Sequence, residues 1–418
     1  MKRCTCLILI LLLIVGAVSC SGDVRDPDQA VLDVGEDFDA DGQSTDVDAS
    51  TISDPEPPVS DLNTQPDEEH DNDDDGEDED VSLEGEDRIP EFENIDPPFF
   101  GFIDAHADTI TRAMLRDQNM FSNNLHVDFE RLLEFDAPVQ VFAIWLADRY
   151  VDNAFQRANL QIDFFESEVA KHSDIIEIAL TLDDLIRNAS NNKISAILSI
   201  EGAEPLEGKI ENVDHFYNRG VRIMSLTWNR ENELGFGQAT GSEEGIKPFG
   251  AEVLQRMEEL GIIVDVSHIN EAGFWDIHNL TSRPYMASHS NTFTVTPHNR
   301  NLRDDQIRAM VDRGGIIGLV LYPLLLSQND TATIVDIMAH IRHFLDLGAG
   351  GNLGLGGDLD GFRDMPTGLT CVRSFKILER EIAEAFDEGT SRRIMSQNFY
   401  DFFVRYSEGD AAARGVRG

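Results

Sequence analysis

Cysteine is nearly missing from this chain: four residues in 418, at positions 4, 6, 20 and 371. Three of them fall in the first twenty residues, so the remainder has one thiol and no intramolecular disulfide to rely on. Stability has to come from a sizeable apolar core, helped by any metal the fold holds. Positive charge is also scarce, with 33 Lys and Arg against 78 Asp and Glu and a formal net charge of −45. That sign opposes phosphate binding and excludes nucleic acid as a partner. A Gly-rich dinucleotide fingerprint is missing after the first apolar run of the folded part, which argues against an open doubly wound sheet. Gly356-Gly357 comes at a strand end and reads as close backbone approach, not phosphate binding.

The first twenty residues read as a signal peptide. Lys2 and Arg3 precede an almost continuous apolar run, Leu7 to Val15, and then Gly16, Ala17, Val18, Ser19 and Cys20. The small residues before Cys20 resemble a bacterial lipoprotein signal, although Ala17 stands where such signals usually carry leucine. The resemblance implies a lipidated Cys20 as the mature N-terminus and attachment to the membrane. Ser21 after the cysteine favours export to an outer membrane over retention at the inner one.

Residues 21–98 differ in kind. Across residues 21–100 there are 30 Asp and Glu against two Arg, a net charge of −28. Large apolar residues are sparse until Phe99, so this stretch cannot bury enough surface to offset its ordering entropy. It is expected to be a disordered acidic linker holding a catalytic domain, residues 99–418, away from a membrane. Asp37, Asp39, Asp41, Gly42 and again Asp71, Asp73, Asp75, Gly76 match the first half of a calcium loop. The twelfth positions are Asp48 and Ser82 instead of Glu, and no helical pattern flanks them, so a plain solvated linker is the better reading.

From Phe99 onward, short β-branched apolar runs alternate with amphipathic charged stretches. The runs are Phe102–His106, Val139–Trp145, Ile194–Ile200, Val221–Thr227, Ile262–His268, Tyr285–His289, Ile316–Val320 and Leu353–Gly357. Helical spacing fills most gaps, for example in Ala251–Leu260, Asp304–Asp312 and Ile334–Leu347. Eight strands alternating with helices predict an α/β fold, a closed (β/α)8 TIM barrel of the metal-dependent hydrolase type.

In such a barrel the C-terminal strand ends share one mouth, where catalytic groups gather. His106 and Asp108 follow the first run, Glu201 the third, His268 ends the fifth, His289 the sixth and Asp358 the eighth. In extended chain, positions i and i+2 share a face, so His106 and Asp108 can grip one ion together. Five such ligands exceed what one open catalytic zinc takes and suit two ions bridged by a carboxylate. His106 and Asp108 would hold one, His268 and His289 the other, and Glu201 both. Two close cations acidify a shared water to hydroxide and polarise a carbonyl. Asp358 is then free to carry the nucleophile's proton to a leaving amine. The reaction class is metal-assisted amide hydrolysis. His126, His172, His215 and His298 lack such placement and read as surface or packing residues.

Asp104-x-His106-x-Asp108, Ile200-Glu201-Gly202, Leu226-Thr227, Val266-Ser267-His268, Ser288-His289-Ser290, Arg300-Asn301-x-x-Asp304-Asp305 and Gly356-Gly357-Asp358-x-Asp360-Gly361 together resemble the zinc membrane dipeptidases. The resemblance runs from about Phe100 to Phe403, in the family's order. It implies two zinc ions per chain, the ligand roles given above, and Arg300 as the guanidinium that receives a dipeptide's free carboxylate. It also implies tolerance of a C-terminal D-residue, and relatives that are often dimers. One position departs. After Leu226-Thr227 well-studied members carry a histidine that contacts the scissile carbonyl, whereas this chain has Trp228, which donates one hydrogen bond and cannot be a cation. Either Asn229 or another group substitutes, or the substrate differs. The expected function is therefore a lipid-anchored zinc dipeptidase. The alternatives are a binuclear amidohydrolase acting on a β-lactam, lactone or N-acyl amino acid, and a non-catalytic peptide-binding surface lipoprotein.

Overall fold

Short, largely buried parallel strands arrange the polar residues of this protein. The computed structural model describes residues 100–413 apart from 330. The expected signal peptide with Cys20, the acidic linker and its two calcium-like stretches lie outside the described residues.

Among the described residues there are nine strands: β1 (Ile103–Asp104), β2 (Val139–Trp145), β3 (Ile176–Ile178), β4 (Ile194–Glu201), β5 (Val221–Ser225), β6 (Ile263–Asp265), β7 (Met286–Ala287), β8 (Ile316–Leu319) and β9 (Leu353–Leu355). All pair in parallel, in the order β2-β1-β9-β8-β7-β6-β5-β4, and β2 pairs β4 along seven residues to close the ring. The result is the expected eight-stranded barrel, and each of the eight apolar runs supplies one of its strands. β3 is additional. It pairs Ile194–Ala196 of β4 below the point where β5 takes over at Leu198–Ile200, so it extends the wall without joining the ring.

Helices cover the outside and start where local chemistry lets them. Thr181 and Asp184 form a capping box for helix Leu182–Ser190, and Thr333 and Asp336 do the same for Ile334–Asp346. Pro248 opens helix Pro248–Leu260, which Gly261 ends with a left-handed φ of 82°. A large apolar cluster fills the layer between strands and helices.

A second apolar cluster closes one end of the barrel. It gathers Ile103, Val139, Val141, Ile197, Ile223, Ile263, Met286 and Ile316 from seven of the eight barrel strands, an assembly only the barrel interior can make. Phe399, Phe402, Phe403 and Tyr406 of the final helix, Asn398–Ala413, pack onto it. The eighth strand contributes Gly354, where an added Cβ would lie 2.4 Å from the Phe399 ring. The N-terminal end of the barrel is thus sealed by aromatic side chains. Polar groups collect at the other end.

Candidate metal centre and active site

Five of the six expected residues sit just beyond their strands, and Glu201 is the last residue of β4. After β1 the chain stays extended, with Ala107 bridging Leu359, until Asp108 begins helix Thr109–Leu115. His268 and Asp358 occupy left-handed backbone, with φ of 71° and 53°. Non-glycine residues adopt that region at a cost, and such strain concentrates at functional sites. Close approach of β7, β8 and β9 keeps the mouth narrow. A Cβ on Gly318 or Gly356 would collide with the Ser288 carbonyl oxygen, at 2.0 and 1.8 Å. This is the close backbone approach expected of Gly356.

The side chains converge. His106 Nε2 is 3.3 Å from Glu201 Oε2, 3.7 Å from Asp108 Oδ2 and 3.9 Å from Asp358 Oδ1. On the other side, Glu201 Oε1 is 2.9 Å from His268 Nε2 and 3.5 Å from His289 Nε2, and the two imidazole nitrogens are 2.9 Å apart. Three overlapping groups can each surround an ion: His106, Asp108 and Glu201; Glu201, His268 and His289; His106, His289 and Asp358. The first two are the shells expected from the sequence. The third shows that Asp358 lies within ligand reach as well as within reach of a reacting water.

The chemistry of the donors fits a metal. His268 Nδ1 lies 2.8 Å from Asn229 Oδ1, an atom that can only accept, so its proton is on Nδ1 and the Nε2 lone pair is free. Ser288 Oγ donates to Asp265 Oδ2 at 2.5 Å and accepts from His289 Nδ1 at 2.8 Å, which leaves His289 Nε2 in the same state. Two lone pairs and a carboxylate oxygen therefore face one another with no proton between them. His106 Nε2 and Asp108 Oδ1 are also buried and lack hydrogen-bond partners. Buried polar atoms are rarely left so, and a divalent cation satisfies all of them together.

The electrostatics point the same way. Burial, with Arg300 nearby, pushes His268 down to about 4, and burial carries His289 well below its ordinary range, so both are neutral ligands. Burial would raise Glu201, but His106, which Glu201 and Asp108 in turn hold, against burial, well above its own ordinary range in the metal-free site, outweighs it and keeps the carboxylate ionised. Burial lifts Asp358 well above the usual carboxylate range, reinforced by Asp108 and Glu201 against His106 and Arg300. A raised pKa suits a group that must both take and give a proton.

Above the cluster lies a cavity of about 630 Å³. Asp108, Glu201, His268 and Asp358 form its floor, and Trp145, Trp228, Arg112 and Arg149 contribute to its walls. Trp228 is buried and meets Trp145 edge-on, with ring centres 5.1 Å apart. Trp145 Nε1 is buried and lacks a hydrogen-bond partner. Arg300 lines a second cavity of about 750 Å³ with Asn270, Ser290 and Phe293. It is close enough to His268, His289 and Asp358 to shift all three. A roomier apolar recess, about 810 Å³, touches Ile197, Ile263, Phe403 and Tyr406 at the sealed end and carries no ligating cluster.

The sequence reading named the floor of the site but not its supports. Asn229, expected beside the substrate, spends its side-chain oxygen orienting His268. Asp265, Ser267 and Ser288, which brace His289 through its ring and its backbone N–H, were missed as supports. The alternation in Asp265-x-Ser267 was the available signal. Arg112 and Arg149 had none, since nothing in their spacing places them at the mouth. The remaining histidines have local duties. His126 Nδ1 accepts from the Asp360 backbone N–H at 3.0 Å, His172 stacks on Phe121, His215 contacts Asn159, and His298 Nδ1 accepts from the Arg300 backbone N–H.

Comparison with known proteins agrees with this geometry. Residues 99–405 match the family model "Membrane dipeptidase (Peptidase family M19)". An uncharacterized dipeptidase of Schizosaccharomyces pombe is 29% identical over 309 residues, covering 66% of this chain and 74% of its own length. The dipeptidase tcpJ of Claviceps purpurea is 25% identical over 305 residues, covering 70% of this chain and 72% of its own. Among solved structures, a metallo peptidase from Rhodobacter sphaeroides, liganded with a phosphinate mimic of the dipeptide L-Ala-D-Ala, superposes with a TM-score of 0.68. It is 22% identical, and the match covers 73% of this chain and 99% of that one.

Proposed function

This chain belongs to the membrane dipeptidase family, and on that premise we propose that it is a zinc dipeptidase that hydrolyses dipeptides, including those with a C-terminal D-residue. The observation that supports this most is the set of opposed lone pairs around Glu201. His106 and Asp108 would hold one zinc ion, His268 and His289 a second, with Glu201 shared between them. Two such ions supply an acidified water and a polarised scissile carbonyl.

The protein's own groups do the rest. Arg300 receives the free carboxylate of the dipeptide in a two-pronged hydrogen bond and fixes which peptide bond lies over the cluster. Asp358 takes the proton from the attacking water and delivers it to the departing amine, a role its raised pKa suits. Asn229 and Ser288 keep the two imidazoles turned towards the site. Trp145 and Trp228 form an apolar wall that excludes water from one side of the reacting bond. The phosphinate of an L-Ala-D-Ala mimic bound by the Rhodobacter sphaeroides protein supports the D-residue reading. We further propose that lipid on Cys20 anchors the enzyme to the cell envelope, at the outer membrane where there is one.

A panel of L-Xaa-L-Xaa and L-Xaa-D-Xaa dipeptides with zinc-loaded protein tests the function. Turnover of D-residue members is expected, and none on any member with two metals bound would refute it. A second reading keeps the metals but makes the substrate a lactam, lactone or N-acyl amino acid. Trp228 in place of the family's histidine is the observation behind it. Arg300→Ala separates the two. For a dipeptidase it lowers kcat/KM about a hundredfold on carboxylate-bearing substrates, the worth of a charge-assisted bidentate contact, and has far less effect on amides without a carboxylate.

A further inference from the structure

The cavity above the cluster has a wall that extends past the two tryptophans shielding the reacting bond. Its apolar part is Leu115, Ala147, Trp145 and Trp228, and beyond these stand two guanidinium groups, Arg112 and Arg149. Arg300 belongs to the other cavity. A dipeptide whose C-terminal carboxylate sits on Arg300 and whose amide lies over the metal ligands must therefore direct its N-terminal residue into the Arg112–Arg149 side.

The two arginines are among those of the described residues that no carboxylate holds. Acidic residues outnumber basic ones by more than two to one, and many surface arginines here, including Arg187, Arg219, Arg256 and Arg303, hold carboxylates. Neither Arg112 nor Arg149 has a carboxylate within ion-pair distance among the described residues. Arg112 is held by its Nε on the Asp360 carbonyl at 2.7 Å and by a terminal nitrogen on the Gly361 carbonyl at 3.5 Å. It is a fixed positive charge whose field reaches Asp108 on the cavity floor. Arg149 is exposed, with its guanidinium carbon 5.0 Å from the Tyr150 ring centre. The carboxylate next to it in sequence, Asp148, is engaged with Arg230 at 2.5 Å.

We propose that Arg149, backed by the fixed charge of Arg112, selects dipeptides whose N-terminal residue carries an acidic side chain. This rests on the dipeptidase reading above. The apolar stretch of wall accommodates the methylene groups of such a side chain, and the guanidinium at its outer edge receives the carboxylate.

Steady-state kinetics of the zinc-loaded full chain on L-Glu-D-Ala, L-Gln-D-Ala, L-Leu-D-Ala and L-Lys-D-Ala test it. Glu and Gln differ in charge and hardly in shape, so their ratio isolates the contact. The wild type is expected to favour Glu over Gln by about tenfold in kcat/KM, chiefly through KM, as a half-enclosed charge-assisted hydrogen bond would. Arg149→Gln should bring the ratio close to one, and Arg149→Glu should turn the preference towards Lys. High salt should shrink the wild-type ratio in the same direction. Equal use of Glu and Gln, a preference for Leu, or a ratio unchanged in Arg149→Gln would overturn the assignment while leaving a dipeptidase. Absence of turnover on all four substrates and on the wider panel would remove the dipeptidase reading and this one with it.

Discussion

At the N-terminal end of the barrel the strands contribute Ile103, Val139, Ile197, Ile223, Ile263, Met286 and Ile316, and the last helix closes over them with Phe399, Phe402 and Phe403. At the C-terminal end, the continuations of the same strands carry His106, Asp108, Glu201, His268, His289 and Asp358, all buried. The first end is built as an apolar core. The second breaks several rules of core packing: three carboxylates crowded round His106, lone pairs aimed at one another, and left-handed φ at His268 and Asp358. One end holds the barrel together and the other is held by it. A site this unfavourable in protein atoms alone survives because the apolar end and the helix layer fix the strand ends that carry it.

That division gives the largest expected effect. Glu201→Gln removes the one group common to both proposed ion shells, so metal content should fall and kcat/KM should drop on the order of a thousandfold. Thermal stability of the metal-free protein should fall, because the folded protein holds Glu201 ionised against His106 and the substitution leaves that buried partner unmatched. Metal analysis beside calorimetry reads both. Unchanged metal content would remove Glu201 from the two shells. Phe402→Ala is the converse. It empties a fully buried aromatic position at the sealed end and should cost about 3–5 kcal/mol in denaturant unfolding. Zinc stoichiometry should be unaffected.

The same contrast explains what could be read from sequence. Apolar runs such as Ile194–Ile200 and Ile316–Val320 announce doubly buried strands, and ligands placed at the ends of such runs are legible because a barrel collects strand ends. β3 escaped because Ile176–Ile178 is three residues long and owes its pairing to the edge that β4 offers, which no local pattern shows. Asn229 reads as a substrate contact because it follows Trp228; that its oxygen meets His268, 39 residues away in sequence, leaves no sign in the spacing. Arg112 and Arg149 come from a helix after β1 and a short 3-10 helix after β2, and only the closed ring brings these to one cavity. Contacts that depend on ring closure have no trace in spacing.

His340 tests the outer support of the mouth. It is fully buried, its Nδ1 accepts from the Thr292 backbone N–H at 3.2 Å, and its Nε2 contacts the Leu326 carbonyl at 3.1 Å. Burial lowers its pKa from 6.5 to about 4. The folded state therefore binds fewer protons than the unfolded state between those values, so stability is intact above about pH 6.5 and declines as pH falls towards 4. The full shift is worth about 3 kcal/mol. His340→Gln should flatten this acid limb in unfolding curves taken from pH 7 to 4, and an unaltered limb would remove His340 as its source.

Asn229→Ala has the smallest expected effect and bears most directly on how the mouth is held. The residue lies past β5, away from the sealed end, and is buried with its Oδ1 on His268 Nδ1 at 2.8 Å. Removing that acceptor leaves the imidazole free to turn or to move its proton to Nε2, where it would block a metal. Groups that orient a ligating histidine typically contribute ten- to a hundredfold in metal affinity, about 1.4–2.7 kcal/mol. Zinc titration against a competing chelator should show one of two sites weakened by that amount, with the other unchanged. The rate at saturating zinc should recover most of its wild-type value, since the variant loses positioning and no reacting group. Asn229→Asp keeps an acceptor and should restore the affinity. If both variants bind zinc as the wild type does but lose turnover even at saturation, Asn229 acts on the substrate, and the residue after Trp228 fills the part left by the missing histidine.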